Sequence, residues 1–64
     1  MAGIERYEDF YGCTGVLLDC GEDGYFLVTR TPGGKKIRDE YFKTRRGALR
    51  AMNTDSDGTF KKIK

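Results

Sequence analysis

Two runs of strand-forming residues, Val16-Leu17-Leu18-Asp19-Cys20 and Tyr25-Phe26-Leu27-Val28-Thr29-Arg30-Thr31, flank the tetrapeptide Gly21-Glu22-Asp23-Gly24. β-Branched and aromatic side chains suit a pleated backbone. A glycine at each end of a four-residue loop supplies the positive φ angles a reversal needs, so the pattern predicts a β-hairpin. A second reversal at Pro32-Gly33-Gly34 leads into Lys35-Lys36-Ile37-Arg38-Asp39-Glu40-Tyr41-Phe42. Alternation there sets Ile37 and Tyr41 on one face and Lys36, Arg38 and Glu40 on the other, completing a three-stranded antiparallel meander.

The period changes at Thr44, which stands where an N-cap belongs. Ala48, Leu49 and Met52 then form one apolar stripe, predicting a helix of about nine residues that ends near Asn53 and covers one face of the sheet. Asp55-Ser56-Asp57-Gly58 reads as a turn, and Thr59 to Lys64 as a fourth strand. At the other end, Ile4, Tyr7, Phe10 and Tyr11 recur at helical spacing with Glu5, Glu8 and Asp9 between them and Gly12 as a stop. Residues 1–12 are therefore expected as a short acidic helix, or as an arm packed on the sheet. The expectation is a single α+β domain over residues 1–64: a small antiparallel sheet of three or four strands packed by one helix, in the order short α or arm, β, β, β, α, β.

With 64 residues and 38% hydrophobic side chains, a core and a deep substrate cavity compete for the same few residues. A domain of this size buries only about 60% of its unfolded surface, which argues against a small-molecule substrate. There is no His, the commonest general base and metal ligand. Cys13 and Cys20 have no base beside them, and the carboxylates have no evident pairing, so the chain is read as a non-enzyme without cofactor or metal. A strand between the two cysteines holds them too far apart for a disulfide, which predicts free, partly buried thiols. No apolar run reaches the roughly 18 residues that span a bilayer, and residues 1–12 are acidic and aromatic where a leader is basic and apolar. No membrane partner is expected, and the cytoplasm is the expected setting.

Charge is uneven along the chain. Residues 1–34 carry two basic and six acidic side chains, for −4; residues 35–64 carry ten basic and four acidic, for +6; the total is the formal +2. Lys35, Lys36, Arg38, Lys43, Arg45, Arg46 and Arg50 cluster with Tyr41 and Phe42 between them. Such a cluster is either a solvated face or a polyanion-binding surface. Arg45 and Arg46 lie in the first helical turn, where the macrodipole repels cations by about 0.3–1 kcal/mol each, and Gly47 costs about 1 kcal/mol of propensity. A stability-driven sequence places acids there. A phosphate-holding one combines backbone N–H groups, the Thr44 hydroxyl and guanidinium forks. Gly47 alternatively lets the helix sit close to the sheet.

Phe42-Lys43-Thr44, followed by Ala48, ends a strand and opens a helix. In this respect residues 24–52 resemble the arm-type DNA-binding domains of phage and transposon integrases, three-stranded sheets followed by one helix. The resemblance implies that the exposed sheet face enters a major groove, with Thr29, Arg30, Lys36 and Arg38 as readers. Asn53-Thr54-Asp55-Ser56-Asp57-Gly58 opens like a calcium loop, but its twelfth position is Lys64 where a bidentate Glu belongs, so a polar turn is the simpler reading. The eight Phe and Tyr residues serve mainly as core, the remainder being available for stacking or for anchoring a partner.

The leading expectation is a small binding protein whose Lys36, Arg38, Lys43, Arg45, Arg46 and Arg50 neutralise phosphates of a nucleic acid. The alternative is an adaptor or inhibitor, of the kind phages encode against host defence or transcription machinery, that docks on a larger protein. An acidic arm and a basic face can each steer toward a complementary patch.

Overall fold

The computed structural model of the chain describes residues 3–54 and 60–63. In chain order the elements are β1 (Ile4–Glu8), β2 (Thr14–Asp19), β3 (Tyr25–Arg30), β4 (Lys36–Phe42), α1 (Arg45–Thr54) and β5 (Lys61–Ile63). The strands form one antiparallel sheet in the order β4-β3-β2-β1-β5. This is the expected α+β class, an antiparallel sheet packed by a helix, but with five strands among the described residues rather than three or four.

The extra strand corrects the reading of the N-terminal segment. Residues 4–8 form neither a helix nor an arm but β1, inside the sheet between β2 and β5. Tyr7 points into the core at 6% exposure, whereas Ile4 is 58% exposed on the opposite side. The i, i+3 spacing of these two residues imitates a helical stripe. What decides the matter is pairing: β1 gains a full ladder with β2 and a second with β5, which an isolated two-turn helix cannot match. The acidic strand is also matched by a basic one, with Glu8 opposite Lys61 and Tyr7 opposite Lys62. The oppositely charged halves of the chain thus meet side by side where β1 pairs with β5.

The turns follow the glycines. Gly21 and Gly24, at φ 70° and 95°, bracket a single 3-10 turn between β2 and β3. Gly34, at φ 91°, closes the β3–β4 reversal, where Thr31 N–H donates to Lys35 O and Gly34 N–H to Thr31 O. The turn between β1 and β2 is built by Asp9, whose Oδ1 accepts from Tyr11 N and Cys13 N. Residues 55–59 lie outside the described residues, and with them most of the calcium-like turn and the expected start of the last strand.

The helix covers one face only. Ala48 and Met52 pack on Tyr7, Leu17, Leu27 and Phe60, with Cys13, Tyr25, Phe42, Leu49 and Ala51 around them. Truncating a residue such as Leu17 to Ala in a core this small costs about 2–5 kcal/mol. Close approach is made possible by Gly15, where an added Cβ would lie 2.6 Å from Met52 Sδ. On the other face, residues pair across the sheet in three rows. Ile4, Leu18, Phe26 and Tyr41 form the first; Arg6, Val16, Val28 and Asp39 the second; Glu8, Thr14, Arg30 and Lys36 the third. A register shift at Thr29/Arg30 places Lys36, not Ile37, opposite Arg30. Among the described residues no element covers this face.

Candidate nucleic-acid interface

The six nominated cations do not share a surface. Lys36 lies on the uncovered face, where its Nζ sits 2.6 Å from Asp39 Oδ2. Arg38, opposite the buried Thr29, lies on the helix side of β4, and its Nη1 donates to Glu40 Oε1. Arg45 reaches from the first turn of α1 to β1, donating from Nε to Glu5 Oε2 at 2.9 Å and from Nη2 to Glu5 Oε1 at 2.6 Å. Tyr7 OH also donates to Glu5 Oε1, at 2.7 Å, and accepts from Arg45 Nη2 at 3.2 Å.

This Glu5–Tyr7–Arg45 cluster has clear electrostatic consequences. The Arg45 fork, with help from the Tyr7 hydroxyl, holds the Glu5 carboxyl down to about 2 from its ordinary 4.5. Burial, then the neighbouring Glu5, pushes the Tyr7 phenol up, and Glu5 raises the Arg45 guanidinium further. Lys62 Nζ completes the group at 3.7 Å from Glu5 Oε1. Half of the nominated set is therefore held by acids of the same chain: Lys36 by Asp39, Arg38 by Glu40 and Arg45 by Glu5.

Lys43, Arg46 and Arg50 are different. Lys43 lies exposed in the connection before α1, and Arg46 and Arg50, four residues apart, stand on the outer side of the helix because Ala48 and Met52 face the sheet. Among the described residues no acid lies within ion-pair distance of these three. At the helix start the Thr44 hydroxyl accepts from Gly47 N at 3.1 Å, so it acts as an N-cap. Gly47 makes room for that cap, since a Cβ there would lie 3.2 Å from Thr44 Oγ1.

The four residues expected to read bases are likewise divided. Thr29 is fully buried under the helix and Arg38 lies on the same side, whereas Arg30 and Lys36 lie on the uncovered face, with Arg30 Nη1 donating to Gly34 O. Of the aromatics, Tyr7 and Phe60 are core, but Phe10 and Tyr11 project from the β1–β2 turn at 89% and 59% exposure, packed edge to face at 5.3 Å. A shallow hollow of about 290 Å³ beside them is lined by Glu8, Asp9, Phe10, Lys61, Lys62 and Ile63.

Both thiols, Cys13 and Cys20, are free and half-buried, and burial together with Asp9 raises the Cys13 thiol. Among the described residues there is no cluster of three or more His, Cys, Asp or Glu able to hold a metal, and no helix long and apolar enough to cross a membrane. No protein-family model, curated protein or solved structure matches the chain.

What sequence reasoning missed is Glu5, the acid that engages Arg45. Glu5 and Arg45 are 40 residues apart, and no local pattern couples them. The opposite net charges of residues 1–34 and 35–64 are the sequence's sign of such a pairing.

Proposed function

We propose that the protein is a non-enzymatic binding module that contacts the phosphates of a nucleic acid through Lys43, Arg46 and Arg50. The observation that carries this reading is the absence of own-chain acids around these three among the described residues, while Lys36, Arg38 and Arg45 are each engaged. A cation that faces only water releases phosphate counterions on binding at little cost, whereas a paired one must first give up its partner. With Thr29 buried and the intended base readers split over two faces, the contact is to backbone and independent of sequence.

The test is fluorescence anisotropy of a labelled, unrelated duplex at about 50 and about 200 mM salt. Three phosphate contacts give a slope of about −2.7 in log K against log salt, hence an affinity loss of about 40-fold over that range; six would give about −5.4. No binding at the lower salt, or binding indifferent to salt, overturns the reading.

A second reading, an adaptor or inhibitor of the phage type that docks on a larger protein, is favoured by the Phe10–Tyr11 pair. Two exposed aromatics at a turn are suited to anchor an interface. Under it, Arg46→Ala with Arg50→Ala leaves partner capture intact and Phe10→Ala abolishes it.

A further inference from the structure

We propose that the uncovered face of the sheet is the interface of a symmetric homodimer, two sheets packed face to face with the helices outermost. The proposal goes beyond nucleic-acid binding and uses none of its residues.

The face is apolar at its centre. Val16, Leu18, Phe26 and Val28 are half-buried, Phe26 and Tyr41 meet across β3 and β4 with ring centroids 4.7 Å apart, and Ile4 and Tyr41 remain 58% and 64% exposed. A sheet face of this composition is stable when covered by another layer, and α1 lies on the opposite side.

What identifies a second copy as the occupant is the arrangement of the rows. Over β1, β2, β3 and β4 the outer positions of each row are complementary: Ile4 and Tyr41 in the first, Arg6 and Asp39 in the second, Glu8 and Lys36 in the third; β5 continues the second with Ile63 beyond Arg6 and the third with Lys61 beyond Glu8. A two-fold axis parallel to the strands, lying in the interface between β2 and β3, leaves every row in place and exchanges these outer positions. It sets Arg6 against Asp39 of the other copy, Glu8 against Lys36, Ile4 against Tyr41, Leu18 against Phe26 and Val16 against Val28. Every contact is then apolar on apolar or of opposite charge, apart from Thr14 against Arg30. An isologous interface has this property, each residue meeting a partner that meets it in return, and aligned sheets pack with their strands within about 30° of each other. The other in-plane axis, perpendicular to the strands, places Arg6 on Arg6, Asp39 on Asp39, and the apolar first row on the charged third. The surface therefore selects one of the two arrangements. The exposed Lys36–Asp39 pair is no obstacle, since a carboxylate accepts a second cation beside the first.

The experiment is sedimentation velocity on the full chain without nucleic acid, from about 5 µM to about 500 µM, the range in which a small interface of this kind associates. Wild type is compared with Arg6→Asp, Asp39→Arg and the double reversal, and circular dichroism confirms that each folds. Wild type is expected to move toward twice the chain mass of 7.3 kDa. Each single reversal acts twice through the symmetry and is expected to weaken association about 10-fold or more, with the double reversal restoring it to within about 3-fold. A wild type that stays monomeric throughout overturns the proposal. So does a dimer indifferent to the single reversals, or a folded double variant that fails to recover. None of these outcomes bears on Lys43, Arg46 or Arg50, so the two proposals stand or fall separately.

Discussion

The Arg45 guanidinium forks onto both oxygens of the Glu5 carboxylate, tying the first turn of α1 to β1 across 40 residues of chain. The pair sits at the surface, with side-chain exposures of 46% and 23%, so its contribution is about 1 kcal/mol rather than that of a buried pair. Because the folded carboxyl lies near 2 and the free one near 4.5, this stabilisation is complete above about pH 4.5 and is lost as the pH falls toward 2. Glu5→Gln is expected to lower stability at pH 7 by about 1 kcal/mol and to flatten the acid limb of a denaturation series between pH 5 and 2. An unchanged acid limb in the variant excludes the pair as its origin.

Gly24 and Gly34 both have positive φ, yet they predict different losses. A Cβ at Gly24 would collide with the Phe42 carbonyl oxygen, which is backbone and has nowhere to go, whereas nothing lies within 4 Å of one at Gly34. Gly34→Ala is expected to cost about 1 kcal/mol, for backbone strain alone, and Gly24→Ala about 3 kcal/mol or more. Thermal melts of the two variants in parallel measure the difference.

Asp9 is 7% exposed and serves two backbone donors, at 2.9 Å from Tyr11 N and 2.8 Å from Cys13 N. Asp9→Ala leaves both unsatisfied at a cost of about 2 kcal/mol, while Asp9→Asn keeps an acceptor and is expected to cost about half as much. Urea midpoints at constant m-value read this order directly.

Among the cations, Arg46→Ala with Arg50→Ala is expected to reduce the salt slope of duplex binding by about 2 with little effect on the melting temperature. Arg45→Ala should do the reverse, lowering stability while leaving the slope unchanged. Equal slopes in the two variants would remove the distinction between engaged and unengaged arginines.

The strands β2, β3 and β4, their glycine turns and the Thr44-capped helix are legible in the sequence because local chemistry specifies them: β-branched runs, positive-φ glycines, a hydroxyl before an apolar stripe. β1 is not, since Ile4 and Tyr7 carry a helix-like spacing and only pairing with β2 and β5, both distant in sequence, makes the segment a strand. The basic cluster misleads for a related reason. The register shift in β4, which leaves Ile37 unpaired, breaks the alternation that would keep Lys36 and Arg38 on one face, and Glu5, which engages Arg45, lies 40 residues away in the chain. Likewise Val16, Leu18, Phe26 and Val28 read as strand core, but nothing local says that one helix leaves their side of the sheet uncovered.

The two borders of the sheet are protected unequally against another chain adding to them. Along β4 the outer border carries Lys36, Arg38, Asp39 and Glu40 and is distorted by its bulge, which discourages strand addition. Beside β1 the guard is β5, whose three residues pair, among the described residues, with Arg6, Tyr7 and Glu8. When those few bonds fray, β1 presents an unpaired, partly apolar template. High salt, which screens Glu8 from Lys61 and Glu5 from Lys62, weakens the guard while leaving the core intact. Fibrous precipitation at high ionic strength, from a chain that is otherwise folded, would start at this border.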